Sequence, residues 1–133
     1  MRVAVVGAGS WGTAIAWLLG GKGVSVTMWA REPEIAEGIS AVHRNPSFLK
    51  EVVLDPSVRA TPDIGEAVRE AEAIVLVTPS HGVRGVAEAM SDHVASDTPI
   101  VNLSKGVEMG TMMRMTQVLE DVLGNKDRLA ALP

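Results

Sequence analysis

Three glycines near the start of the chain have the spacing G-x-G-x-x-G, which suits a phosphate-bearing ligand. The segment Gly7-Ala8-Gly9-Ser10-Trp11-Gly12 follows an apolar run, Arg2 to Val6, and precedes an Ala- and Leu-rich helical stretch. In that context Gly7 permits a tight turn, Gly9 lets a pyrophosphate approach the backbone, and Gly12 lets helix and strand pack closely. The pattern predicts a dinucleotide site. An ordinary glycine-rich turn between strand and helix is the alternative.

Contacts to the diphosphate are expected from backbone amides near Ser10 and Trp11. These amides lie at the start of the following helix, where the helix dipole favours negative charge. The chain has 12 Lys+Arg against 16 Asp+Glu, a net charge of −4, and so has no general attraction for nucleic acid or anionic lipid. Any bound anion must therefore be held by such local groups.

The end of the second predicted strand bears on which dinucleotide is used. Domains specific for NAD usually place Asp or Glu there, roughly 20 residues into the motif. Here those positions hold Ala30 and Arg31. A guanidinium accepts a 2′-phosphate in bidentate fashion and stacks on adenine, so Arg31 predicts NADPH as cofactor. Glu32 would favour NADH if it turned inward, and Arg31 as a solvated surface charge is the other alternative.

Two later strand ends carry further polar groups. The segment Thr78-Pro79-Ser80-His81 follows the fourth strand. It either forms a wall beside the nicotinamide ribose, with Pro79 in contact with the cofactor, or contains a proline that simply ends the strand. His81 is a proton donor by residue type, although a lone histidine in a loop is more often a surface residue. Lys105, after the fifth strand, could bind a substrate phosphate or carboxylate or could lie in solvent.

The elements that position these residues alternate along the chain. Short apolar runs separated by longer amphipathic stretches indicate a parallel sheet covered on both faces, a three-layer, Rossmann-type doubly wound α/β fold in one domain, residues 1–133. Residues 45–56 are expected to form an irregular loop. The predicted strands are Arg2–Val6, Val24–Trp29, Val58–Thr61, Ala73–Thr78, Pro99–Leu103 and Arg128–Leu132. The predicted helices are Thr13–Leu19, Ile35–Val42, Ile64–Ala71, Val83–Val94 and Thr111–Leu123.

Composition excludes several classes of protein. The chain of 133 residues has no cysteine, which rules out disulfides and cysteine metal sites, and its three histidines have no metal-ligand spacing. Its four aromatic residues are too few for a platform that stacks single-stranded nucleic acid. No apolar run approaches the roughly 20 residues of a membrane helix, and the first run is too short for a signal sequence. We therefore expect no membrane insertion and a cytoplasmic location.

Several segments together resemble the NAD(P)-dependent glycerol-3-phosphate dehydrogenases of bacteria. They occur in the family's order and roughly its spacing, over nearly the whole chain. The most specific features are Ser-Trp inside the glycine motif and the Lys-Gly-Val-Glu sequence. The matching segments are Gly7-Ala8-Gly9-Ser10-Trp11-Gly12-Thr13-Ala14, Trp29-Ala30-Arg31, Asn45-Pro46-Ser47-Phe48-Leu49, Thr78-Pro79-Ser80-His81 and Lys105-Gly106-Val107-Glu108.

The resemblance implies reversible hydride transfer between NAD(P)H and dihydroxyacetone phosphate, which gives sn-glycerol 3-phosphate for phospholipid synthesis. It implies that Ser10 and Trp11 contact the cofactor diphosphate and that Arg31 lies beside the adenosine phosphate. Phe48 would lie near the cofactor, and Lys105 between cofactor and substrate. The family often has a basic residue where this chain has Glu32, so the cofactor is expected to be NADP or NAD.

Length is the main departure from the family. Its members continue with a helical domain that carries the lysine taken as general acid, whereas this sequence stops at Leu132-Pro133. We therefore expect no catalytic residue within residues 1–133, and a chain that binds NAD(P)H with little or no dehydrogenase activity. Another two-domain dehydrogenase, of the 2-hydroxyacid or ketopantoate type, and a non-catalytic nucleotide-sensing domain are the alternatives.

Four methionines follow the Lys-Gly-Val-Glu sequence, at Met109, Met112, Met113 and Met115. Methionine fills irregular gaps, so core packing is the simple explanation. The run is nevertheless crowded for one face of a helix. We therefore expect the methionine cluster to form an interface, as a homodimer or by self-association.

Overall fold

A six-stranded sheet forms the centre of the protein in a computed structural model that describes residues 1–131. All neighbouring strands are parallel, in the order β3-β2-β1-β4-β5-β6. This arrangement confirms the predicted doubly wound α/β fold. Leu132, the last residue of the predicted sixth strand, lies outside the described residues. The strands are β1 (Arg2–Val6), β2 (Ser25–Trp29), β3 (Arg59–Thr61), β4 (Ala73–Leu76), β5 (Ile100–Asn102) and β6 (Leu129–Ala131).

Helices cover both faces of this sheet. The side chains of β1 alternate between the two faces, as the two-residue period of a strand requires. Ala4 and Val6 pack in one buried cluster with residues of α3, α4 and α5, whereas Val3 and Val5 pack in the other with residues of α1 and α2. The helices are α1 (Ser10–Gly21), α2 (Pro33–Val42), α3 (Ile64–Val68), α4 (Val83–Met90) and α5 (Met115–Leu123), with 3-10 turns at Ser80–Gly82 and Lys126–Arg128.

The first helix begins one turn earlier than predicted, at Ser10 instead of Thr13. Gly9 has extended backbone angles and acts as the N-cap, and its carbonyl oxygen accepts a hydrogen bond from the Thr13 amide at 3.0 Å. The glycines of the motif therefore do not delay the helix. They place its first turn directly after the strand.

The predicted start of α5 at Thr111 is wrong, because the preceding residues form a tight turn. Val107 and Arg114 form an antiparallel bridge, and the Glu108 amide donates to the Met113 carbonyl oxygen at 2.8 Å. Gly110 and Met112 have positive φ angles of 95° and 60°, which an α-helix cannot contain. The helix begins at Met115 after Arg114 as its N-cap.

Other element ends differ by a few residues from the predictions. α4 ends at Met90 instead of Val94, and β4 ends at Leu76 instead of Thr78, although the Val77 amide still donates to the Val6 carbonyl oxygen at 3.0 Å. Within the described part of the chain, every helix is too short or too polar to cross a membrane.

Candidate functional site

A cleft of about 830 Å³ lies at the carboxyl edge of the sheet, beside the ends of β1 and β4. The chain order of the strands reverses between β1 and β4, and ligands bind at this point in open α/β sheets. Its volume is within the range of small-molecule pockets. All the site residues predicted from the sequence line this cleft: Gly7, Gly9, Ser10, Trp11, Gly12, Arg31, Phe48, Pro79 and Lys105.

Gly7 and Gly12 allow a close approach between the end of β1 and the start of α1. A Cβ atom on Gly12 would lie 2.1 Å from the Gly7 carbonyl oxygen, far inside van der Waals contact. Gly7 itself has a φ of 130°, and a Cβ there would lie 2.9 Å from the Val77 carbonyl oxygen. Side chains at these two positions would push the helix away from the sheet.

Gly9 has the opposite environment, because a Cβ atom built there meets no atom within 4 Å. The residue lines the cleft, so the space beside its backbone is space that a ligand can occupy. Helix α1, which lies wholly within the described residues, has no side-chain cap and no acidic residue in its first turn. The amides of Ser10 and Trp11 thus start a helix whose positive end is not neutralised by its own side chains.

Buried and half-buried polar side chains join the ends of three central strands at the cleft. The Thr78 hydroxyl donates to the Val6 carbonyl oxygen at 3.1 Å, and the Ser104 hydroxyl donates to the Thr78 carbonyl oxygen. Asn102 completes the set, since its Nδ2 donates to the Ser104 carbonyl oxygen at 2.9 Å and its Oδ1 accepts from the Ser104 amide at 3.0 Å. These bonds hold the ends of β1, β4 and β5 at fixed separations.

Arg31 and Glu32 both line the cleft, and both are exposed. They follow Ala30, whose amide donates to the Thr61 carbonyl oxygen at 3.0 Å and so fixes the end of β2 against β3. The Arg31 guanidinium and the Glu32 carboxylate therefore lie at the same edge of the cleft.

Lys105 is exposed in the cleft, on a loop that lies close to the residues after β4. The next residue, Gly106, has a φ of 102°, and a Cβ there would lie 3.8 Å from the Ser80 Oγ. His81 also lines the cleft and is exposed. Among the described residues, no three metal-ligating side chains form a group that could hold a metal ion.

The loop that carries Lys105 is anchored by an ion pair outside the cleft. The Arg84 guanidinium of α4 donates to both carboxylate oxygens of Glu108, from Nε at 2.8 Å and from Nη2 at 3.0 Å. Its Nη1 donates to Asp121 of α5 at 2.8 Å. Hydrogen bonds from Arg84 and then from the Thr111 hydroxyl lower the pKa of Glu108. Hydrogen bonds to Glu108 and then to Asp121 raise the pKa of Arg84. Glu108, the last residue of the Lys-Gly-Val-Glu sequence, is thus structural.

Sequence reasoning missed the apolar wall of the cleft. Trp29 ends β2 and is fixed by a hydrogen bond from its Nε1 to the Pro62 carbonyl oxygen at 3.0 Å. A tryptophan at the carboxyl end of a parallel strand is a signal that could have been used. Small residues of α4 at helical spacing are a second such signal. The wall residues that were not predicted include Trp29, Ile64, Gly85, Val86, Ala89 and Leu103.

The Arg84–Glu108 pair predicts a specific acid sensitivity. Because the pKa of Glu108 is lowered from its ordinary value of 4.5, the ionised carboxylate stabilises the fold at pH values above 4.5. This stabilisation is lost as the pH falls through the lowered pKa of the folded protein. Glu108→Gln should be less stable than the wild type at about pH 7 and should lose less stability on acidification to about pH 3. Urea unfolding at several pH values measures this. Glu120→Gln, an exposed change on α5, is the control, and equal acid sensitivity of wild type and Glu108→Gln would contradict the prediction.

The sequence of the chain matches those of known proteins of one family. Residues 2–133 match the model of the family described as NAD-dependent glycerol-3-phosphate dehydrogenase N-terminus. The chain is 46% identical over 123 residues to a glycerol-3-phosphate dehydrogenase [NAD(P)+] of Anaeromyxobacter sp. (strain K), covering 92% of this chain and 37% of that relative. A relative of the same name from Nocardia farcinica is 43% identical over 139 residues, covering 98% of this chain and 40% of its own length.

The fold agrees with a solved structure of this kind. A crystal structure of glycerol-3-phosphate dehydrogenase from Coxiella burnetii superposes with a TM-score of 0.87 at 28% identity, over 93% of this chain and 38% of that chain. The chain thus spans well under half the length of the relatives that it matches. The sequence match, the sheet order and the cleft agree, and the chain belongs to the family of NAD-dependent glycerol-3-phosphate dehydrogenases, in its N-terminal part.

Proposed function

We propose that residues 1–133 are the NAD(P)H-binding domain of an sn-glycerol-3-phosphate dehydrogenase. The full-length enzyme would transfer a hydride reversibly between NAD(P)H and dihydroxyacetone phosphate, and so supply glycerol 3-phosphate for glycerophospholipid synthesis. One observation carries the proposal: the cleft at the point where strand order reverses has an open backbone at Gly9 and a sterically required glycine at Gly12.

The residues present fit the diphosphate of a dinucleotide. Its oxygens would accept hydrogen bonds from the amides of Ser10 and Trp11, at the uncapped start of α1. The free space beside Gly9 admits the diphosphate to the backbone, which a side chain there would prevent. Arg31, at the edge of the same cleft, would pair with a 2′-phosphate.

We assign the nicotinamide and the substrate to other residues of the same cleft. Pro79 and Phe48 line it, and we assign them to the cofactor. The bound cofactor supplies the hydride chemistry, and the protein supplies orientation and charge. Lys105 is exposed at this place and would bind the substrate phosphate beside the cofactor. We assign no catalytic acid to residues 1–133. We propose that, in the full-length enzyme, a lysine outside these residues protonates the developing alkoxide.

Four methionines were expected to form an interface, and the structure divides them. Met115 belongs to the buried cluster that packs α5 on the sheet, and Met113 packs against that cluster, whereas Met109 and Met112 are 87% and 67% exposed. We propose self-association through Met109 and Met112, since exposed apolar side chains on a turn gain from burial. A cytoplasmic location belongs to the same proposal, because the absence of cysteine suits a reducing compartment.

The proposed function is tested by Gly9→Val. Valine adopts the extended backbone of Gly9 and its Cβ meets nothing, so the unfolding free energy should fall by about 1 kcal/mol at most, the cost of a poorer N-cap. The side chain would fill the space assigned to the diphosphate, and NADPH affinity should fall by roughly tenfold or more. Calorimetric titration measures the affinity, with Gly21→Ala as the control, since a Cβ there is equally free. Wild-type protein that does not bind NADPH, or Gly9→Val that binds it normally, contradicts the proposal.

Cofactor choice is tested at Arg31. Arg31→Ala should lower the preference for NADPH over NADH by roughly tenfold, because a charge-assisted bidentate contact to the 2′-phosphate is lost. Titration of both reduced cofactors gives this ratio. Lys22→Ala removes one positive charge outside the cleft and should leave the ratio unchanged. An unchanged ratio in Arg31→Ala would show that Arg31 is only a surface charge.

Self-association is tested by sedimentation velocity over a range of concentrations. The wild-type chain should sediment faster at high concentration, and Met109→Glu should remain monomeric because a charge on the exposed turn opposes its burial. The exposed Leu18 of α1 provides a control, since Leu18→Glu should associate like the wild type. A wild-type monomer at all concentrations would overturn this part of the proposal.

A further inference from the structure

Asn45 is fully buried, and its side chain makes four hydrogen bonds to two segments that contribute residues to the cleft walls. Its Nδ2 donates to the Ala8 carbonyl oxygen at 2.8 Å and to the Thr13 Oγ1 at 3.0 Å. Its Oδ1 accepts from the amides of Ser47 and Phe48 at 2.9 and 3.0 Å. One amide group therefore joins the glycine loop (residues 7–9) and α1 to the segment that carries Phe48 (residues 45–49).

Only an amide of this length satisfies all four partners. The side chain must donate twice and accept twice, which an Asn carboxamide does and an Asp carboxylate, as an acceptor only, does not. Removal of the group would leave the Ala8 carbonyl oxygen and the Ser47 and Phe48 amides to find other partners, at the cost that unpaired polar groups incur when buried. The residue is thus specified by its partners and not merely tolerated in a loop.

The Phe48 segment needs such support, because its backbone is in an uncommon conformation. Leu49, which follows Phe48, has a φ of 50°, in the left-handed region that branched side chains avoid. Phe48 is 41% exposed in the cleft wall, and Leu49 is 40% exposed, so neither is held in place by a core. The Asn45 carboxamide is the fixed point from which the ring of Phe48 extends to the cleft.

We propose that Asn45 is a positioning residue for the cofactor: it sets the separation between the glycine loop and the Phe48 wall, and through that separation the affinity for NAD(P)H. Asn45 does not itself line the cleft, in contrast to Ser10, Trp11 and Phe48. It acts through both walls at once. The inference rests on the proposed function, because it assigns these walls to the same ligand.

The test compares NADPH affinity and stability in matched variants. Asn45→Ala should weaken NADPH binding by about tenfold, as expected when buried hydrogen bonds that order a site are lost. Thr13→Val, which keeps the shape and removes one partner, should weaken it by a smaller factor. Ser40→Ala is the control: it removes two hydrogen bonds of similar kind, between Ser40 and the backbone of Ala60 at 2.9 and 3.0 Å, and leaves the cleft intact. Ser40→Ala should lose stability without losing affinity.

Two readouts separate positioning from a general loss of structure. In the ligand-free protein, Asn45→Ala should accelerate hydrogen exchange of the Ser47 and Phe48 amides and leave the amides of β1 and β4 protected. In a Phe48→Ala background, the effect of Asn45→Ala on affinity should shrink to a few-fold, because one of the two positioned walls is already lost. Thr13→Val carries the same measurements if Asn45→Ala does not fold.

The outcomes distinguish the inference from the function beneath it. A wild-type chain that does not bind NADPH overturns both. A wild-type chain that binds NADPH, with Asn45→Ala and Thr13→Val that bind it equally well, overturns the positioning role alone. The same holds if the loss of affinity in these variants is no larger than in Ser40→Ala, or if it is undiminished in the Phe48→Ala background.

Discussion

The close approach between α1 and the end of β1 is the constraint on which the site depends. Gly12 faces the Gly7 carbonyl oxygen at a distance that leaves no room for a Cβ, and Gly7 in turn lies against the Val77 backbone. This contact places the first turn of α1 beside the carboxyl edge of the sheet, where its residues Ser10 and Trp11 line the cleft. Because the geometry is steric, it exists before any ligand binds, and a preformed site costs less ordering on binding.

Around this contact, the cleft is built by ties between neighbouring segments. Thr78 and Ser104 link the ends of β1, β4 and β5, and Arg84 holds the Lys105 loop through Glu108. Asn45 connects the glycine loop to Phe48 in the same manner. Each tie is a polar side chain bonded across elements that are distant in sequence, which specifies position where apolar packing alone would leave freedom.

Features that depend on interactions between residues close in sequence were predicted correctly, whereas features that depend on tertiary contacts were not. The strands, the sheet type and the glycine motif were predictable, since they depend on local periodicity and on residue types with special backbone freedom. Thr111 was wrongly placed in a helix because the Val107–Arg114 bridge and the positive φ of Met112 arise from a turn that amphipathic spacing does not reveal. The methionines were separable into core and surface only once that turn was known.

By itself, the sequence determined the doubly wound class, the place of the phosphate-binding turn and the residue types available at each strand end, because these follow from patterns within short segments. The tertiary structure decided which of those residues share a cleft and what holds them there. Asn45 illustrates the difference: in the sequence it is a polar residue before a proline in an irregular loop, and in the fold it bonds to Ala8 and Thr13, more than thirty residues away. Such partners are set by chain packing, and no local pattern encodes them.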